Sequence, residues 1–248
     1  RRRLTASLLV LVLPCVAAAQ PSPPRATSDS ANIVVSLLAR PVGTETYSLR
    51  STDAGLRLTA VVRLVDRGTP LTLDATLQLD ADLTPTNFRA SGRSYRFVTV
   101  ETDVAVRGDS AMVIDLGDTL RFRSSGATFV ARGWPPLSAR ALLVRAWERH
   151  GRPPAIRLIP GPEAHVARID YRGRDTVRVG GRATILRRYA VDGVVWGRET
   201  VWIDDDDRFA AIVTRIHILP MEGVRADLAA ALPTLQRRDI ADRMDDMR

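Results

Sequence analysis

The stretch "PLTLDATLQLD", Pro70–Asp80, decides the fold. Leu71, Leu73, Ala75, Leu77 and Leu79 alternate with Thr72, Asp74, Thr76, Gln78 and Asp80. On a helix that spacing would scatter the leucines around the axis. On a strand it puts all five apolar side chains on one face. The segment therefore reads as a half-buried strand with one wet face.

The stretches on either side repeat the pattern. In "LRLTAVVRLV", Leu56, Leu58, Ala60, Val62 and Leu64 share a face. "DRGT" between the two strands is a hairpin turn, with Gly68 free to take positive φ. "STDAG" is a turn before Leu56. "RFVTVETDVAV" places Val98, Val100, Val104 and Val106 together, and "TLRFRSSGATFVAR" gives two short strands around Gly126. Evenly spaced strands joined by tight turns predict an antiparallel meander.

One segment departs from this period. "PPLSARALLVRAWERHGRPP" has helical spacing, with Leu142, Leu143, Ala146, Trp147 and His150 on one side. Ser138 is placed to cap its start, and Gly151 followed by Pro153 to end it. Strands then resume: "HVARIDYRG", "DTVRVGG", "RATILRRYAVDG", "VVWGRETVWI" and "RFAAIVTRIHIL". The last 28 residues, "MEGVRADLAAALPTLQRRDIADRMDDMR", read as helical. Ile240, Met244 and Met247 form an apolar strip there that needs a surface to lie against. The expected class is all-β: an antiparallel meander forming a curved sheet or open half-barrel, with one central helix and a helical C-terminal tail.

The opening "RRRLTASLLVLVLPCVAAAQ" has a basic start, an apolar core from Leu4 to Val16, and small residues Ala17–Ala19. That is the pattern of an export signal. Cys15 follows Pro14, a poor context for lipid attachment. The expected organisation is a signal peptide over 1–19, a disordered Pro/Ser-rich spacer over 20–31, a β half-barrel domain over 32–220 and the tail over 221–248. The expected location is periplasmic or secreted. Cys15 is the chain's single cysteine, so a processed chain has no disulfide and no cysteine nucleophile.

All 36 basic residues are arginine, and the net charge is +8. The arginines are spread along strands and turns, and aromatics make up 5% of the chain. Nucleic-acid binders cluster their cations and interleave aromatics for stacking, so no nucleic-acid partner is expected. No segment after the signal is long and apolar enough to span a membrane as a helix.

Without lysine the chain has no Walker-A lysine, no Schiff base and no Ser-x-x-Lys nucleophile. His150, His165 and His217 are far apart and form no metal-binding motif, so no metal or cofactor is expected. "IDDDDR", with Asp204–Asp207 between two apolar runs, reads as a hairpin tip. A calcium loop would need a turn glycine and a distal glutamate. Glu45, Glu101, Asp170 and Glu199 lie on expected strands. They leave open a carboxylate pair of the glycosidase type beside the plainer reading of a wet sheet face.

Trp134, Trp147, Tyr189, Trp196 and Trp202 are the large side chains that remain. Trp196 and Trp202 are six apart on one expected strand, so they should share a face. Trp147, Tyr189, Trp196 and Trp202 are the candidate ligand-binding residues of an apolar cavity. The alternative is that they are core.

Two stretches carry a resemblance. "ARPVGTETYSLRSTDAGLRL" and "DTVRVGGRATILRRYAVDGVVWGRETVWIDDDDRFAAIV" resemble parts of an uncharacterised periplasmic β-domain family. Its domains look like the half-barrels of outer-membrane lipoprotein carriers, which implies a sheet wrapped around a helix and an apolar concavity. "RADLAAALPTLQRRDIADRMDDM" is similar to the linker helix before the catalytic barrel of some exported metal-dependent amidohydrolases. The leading expectation is an exported, non-catalytic domain that binds an apolar small molecule or lipid in its concavity. An accessory domain of a secreted amidohydrolase and a carboxylate-pair hydrolase are the alternatives.

Overall fold

A computed structural model of the chain describes residues 28–124, 126–131, 133–134, 136–162, 164–216 and 219–248. The expected signal segment, the spacer up to residue 27 and His217 lie outside them.

Eight strands come first: β1 (Asp29–Leu37), β2 (Arg40–Thr52), β3 (Gly55–Asp66), β4 (Thr69–Leu79), β5 (Pro85–Tyr95), β6 (Val98–Arg107), β7 (Ser110–Asp115) and β8 (Asp118–Arg123). Each pairs antiparallel with the next. After β9 (Thr128–Val130) comes the helix α1 (Ala139–Arg149). β10 (Ile156–Ile159), β11 (Val166–Val179), β12 (Arg182–Asp192), β13 (Glu199–Asp204), β14 (Phe209–Ile216) and β15 (Leu219–Arg225) follow. A 3-10 turn, Ala226–Ala231, leads into the helix α2 (Leu232–Asp245).

All fifteen strands belong to one sheet, ordered β8-β7-β6-β5-β4-β3-β2-β1-β15-β14-β13-β12-β11-β10-β9. The first and last strands therefore meet in its middle, with Ile33 opposite Arg225 and Leu37 opposite Met221. The two edge strands, β8 and β9, are neighbours in sequence, joined only by residues 124–127. Laid flat, fifteen strands would hold their edges about 65 Å apart. A link that short reaches at most about 17 Å. The sheet must curl, and it brings β9 against β5. Of the expected curved sheet or open half-barrel, one large open, curved sheet is what forms.

Burial follows the alternation. On β4, Leu71, Leu73, Ala75, Leu77 and Leu79 are all buried, and Thr72 and Asp74 are exposed. These residues, with Leu58, Ala60 and Val62 of β3 and Phe88 of β5, join one core that includes Leu142, Leu143 and Trp147 of α1. α1 is thus inside the curl. It is buried nearly all round, through Ala139–Val144, Ala146 and Trp147, as a helix enclosed by its own sheet must be. The helix also supplies the crossover that the parallel pairing of β9 with β10 requires.

A second core lies on the outer face. Val177, Leu186, Trp202, Ala211, Val213 and Val224 are covered there by Leu228, Ala231 and Leu235. Both faces of β13 are consequently buried.

Several expectations need correcting. β1 starts at Asp29, so it overlaps the end of the expected spacer over 20–31. Leu219–Arg225 is a strand, so the helical tail starts at Ala226. "HVARIDYRG" and "DTVRVGG" form one strand with a bulge near Tyr171–Gly173. The strands around Gly126 are not a hairpin but the two ends of the sheet. Val98 is exposed beyond the covered part of β6. In α2 the faces are reversed: Asp239 and Asp242 are buried, while Ile240, Met244 and Met247 are exposed.

Candidate functional site

The most chemically loaded place in the interior is the start of α1. Glu45, on β2, is fully buried. Its carboxylate accepts the amides of Leu137 at 2.6 Å and Ser138 at 2.9 Å. Free amides and the helix dipole favour an anion at that position. The capping group expected from Ser138 is therefore supplied by Glu45, and Ser138 makes no side-chain cap of its own. Burial pushes the Glu45 carboxyl above the usual glutamate range, against the pull of hydrogen bonds from Ser138 and Leu137 and of the Arg140 charge.

At the second residue of the helix, Arg140 donates from Nε to Glu199 Oε2 at 2.9 Å, with both side chains buried. Its Nη2 donates to the carbonyls of Gly133 and Trp134. Thr214 donates to the other Glu199 oxygen at 2.6 Å. Two of the four candidate carboxylates are thus brought into the interior, but each is fully engaged. Glu45 holds a helix end, and Glu199 holds an arginine and a threonine. Glu101 and Asp170 are exposed on their strands.

The candidate aromatics do not form one wall. Trp147 and Tyr189 meet edge to face, with ring centroids 6.4 Å apart. Trp147 donates to the Pro153 carbonyl, and Tyr189 donates to Glu148 Oε1 at 2.9 Å. Burial and that carboxylate raise the Tyr189 phenol above its ordinary value. Trp202 is fully buried on the outer face, where its indole donates to Asp175 at 2.8 Å. Trp196 precedes β13 altogether and is 75% exposed. The expectation that Trp196 and Trp202 share a face fails because the strand begins only at Glu199.

The void beside α1 that is lined by Tyr47, Leu142 and Phe209 is about 10 Å³, the room of a single water. A cleft of about 450 Å³ lies elsewhere, at the Asp204–Asp207 turn. It is polar, lined among others by Arg182, Asp204, Asp206, Arg208, Arg225 and Asp227. Asp204 organises that turn. Its Oδ1 accepts the amides of Asp206 and Arg208, and its Oδ2 accepts Arg225 Nη1 at 2.7 Å. The four aspartates are a hairpin tip, built as an aspartate-centred turn. Among the described residues, no three His, Cys, Asp or Glu side chains are grouped to hold a metal. His150 caps the end of α1 and is exposed, and a ring nitrogen of His165 lies 3.0 Å from the Gly193 carbonyl.

Sequence reasoning missed Arg140 as the partner of Glu199. No local pattern marks an arginine on an otherwise apolar helix face as an internal ion-pair donor.

With this architecture the chain falls into the class of β-barrel-like proteins. It is similar in fold to a β-barrel-like protein of the domain of unknown function DUF1849 from Brucella abortus. The TM-score is 0.51 at 13% identity, over 82% of this chain and 97% of that one. A DUF1089 family protein from Pseudomonas aeruginosa aligns with a TM-score of 0.37 at 15% identity, over 69% of this chain and 89% of that one. No protein-family model matches the chain, and no curated protein does. Among the described residues, no helix is long and apolar enough to cross a membrane.

Proposed function

We propose that this protein is an exported, non-catalytic domain that acts through its outer surface. One observation carries the reading: α1 occupies the space inside the curled sheet, where an apolar or lipid-like ligand was expected to sit. Such a ligand enters only if α1 leaves. That movement would expose Leu142, Leu143, Val144 and Trp147, each worth about 1.5–3 kcal/mol of burial, and would strand the Arg140–Glu199 pair.

The engagement of Glu45 by the start of α1, and of Glu199 by Arg140 and Thr214, supports the non-catalytic part. An accessory domain of a larger exported enzyme is compatible with it, since such a domain also works through its exterior. The export signal read in residues 1–19 supports the location.

Mass spectrometry of organic extracts from the purified protein tests the reading. The expected result is no stoichiometric apolar compound. A lipid recovered at one per chain, with Trp147 emission shifting when it is removed, would move the function into the interior.

A further inference from the structure

Antiparallel connectivity places the β1–β2, β3–β4, β5–β6, β7–β8, β10–β11, β12–β13 and β14–β15 connections at one end of the barrel. At or beside six of them stands an exposed large apolar residue: Leu38, Val65, Phe97, Leu116, Trp196 and Leu219 in turn. Phe97 at 79% and Trp196 at 75% are the extreme cases. A soluble domain normally fills such turns with Gly, Asn, Asp and Ser. The opposite end follows that rule more closely, with Asp82, Asp109, Gly180, Gly181, Asp205 and Asp206 at its turns.

Cations accompany the apolar tips. The Arg96 guanidinium lies 4.7 Å from the centre of the Phe97 ring, and that of Arg215 lies 5.9 Å from the Trp196 ring. Arg40 and Arg67 are exposed on the same rim. Aromatic and aliphatic tips among arginines make up the composition that partitions into a lipid headgroup layer, where the ring enters the acyl boundary and the cation meets phosphate.

We propose that this rim docks on an anionic lipid bilayer. The proposal rests on the reading that the protein works through its exterior, and it names the surface and the partner. Charge complementarity selects the partner: Arg40, Arg67, Arg96 and Arg215 stand beside the apolar tips, and an anionic surface meets those guanidinium groups as the tips enter it. The separation of the tips agrees. They stand at or beside six different connections rather than lining one groove, which suits a fluid layer that admits each tip independently.

The test is co-sedimentation of the full chain with vesicles of mixed phosphatidylglycerol and phosphatidylcholine, set against phosphatidylcholine alone. Trp134, Trp147 and Trp202 are buried, so a change in emission reports Trp196. The expected results are binding to the anionic vesicles with a blue shift of emission, and at least a roughly ten-fold lower partition for the Phe97→Ser/Trp196→Ser variant. Arg96→Ser/Arg215→Ser should lose the preference for anionic vesicles, and Asp205→Asn/Asp206→Asn should bind as the parent does. Unchanged partition of the Phe97/Trp196 variant, or binding without a Trp196 shift, overturns the proposal. So does a concentration-dependent dimer that the same variant abolishes, which would assign the rim to a second copy. None of these results bears on the extraction experiment above, so the two readings fail separately.

Discussion

Arg140 on the enclosed helix and Glu199 on β13 form an ion pair at 2.9 Å, with 1% and 0% of their side chains exposed. Removing one partner leaves an uncompensated charge in the interior. Arg140→Met should cost about 3–5 kcal/mol in urea unfolding. Arg140→Met combined with Glu199→Leu should recover much of that loss. A double variant no more stable than the single would mean that the contacts of Arg140 with the Gly133 and Trp134 carbonyls carry the effect.

Glu45 gives a pH dependence of definite sign. Its carboxyl is raised in the folded chain by burial, so the folded state holds a proton that the unfolded state releases above about pH 4.3. The contribution of this group is full below that pH and is lost as pH rises through the folded value. Denaturation midpoints measured across this window should fall more, or rise less, with rising pH in the parent than in Glu45→Gln. An equal slope in the two would exclude this contribution of Glu45.

The tail helix docks through carboxylates. Arg172 donates to both oxygens of Asp242 at 3.1 Å, and Thr200 donates to Asp239 at 2.5 Å. Asp246 also meets Arg172 and Arg198. Asp242→Ala should destabilise the chain by about 1–3 kcal/mol and speed amide exchange in α2. Ile240→Ser and Met244→Ser should change stability by no more than about 0.5 kcal/mol. The reverse ranking would mean that the apolar strip, not the acidic one, holds the helix.

Gly43 lies at the β1–β2 bulge, where the register shifts between Val35 and Ser36. A Cβ there would stand 2.0 Å from the Arg63 carbonyl oxygen and 2.7 Å from the Leu64 Cα. Both are backbone atoms and cannot swing aside. Gly43→Ala should cost about 1–3 kcal/mol, measured by thermal unfolding. A variant as stable as the parent would show that the β2–β3 pairing can spread.

The sheet was legible in the sequence because a one-sided strand writes its burial into every second residue, as Leu71 to Leu79 do. The Asp204–Asp207 turn was legible because aspartate bonds its own backbone. What covers a face was not legible. Alternation says that Val201 and Ile203 hide from water, but not that α1 does the hiding. It is silent where both faces are covered, as on β13. The Leu219–Arg225 strand was obscured by Glu222 and Arg225, which bond Ala39 and Asp204 elsewhere in the chain. The tail is misleading for a related reason: its sequence pattern points to the apolar strip as the docking side, but the sheet offers it Arg172, Arg188 and Arg198, and these select carboxylates. The Trp196–Trp202 pairing failed on a boundary, since parity holds only within one strand.

The amide of Ala39 and the carboxylate of Glu222 that accepts it are 183 positions apart. They sit beside the seam where β1 meets β15. A nascent chain emerging from its amino end would hold the inner edge of its first meander open until the final strand arrived. Closure is then a late, entropically expensive event, and the growing polypeptide stays unlocked, and able to be threaded, for most of its synthesis.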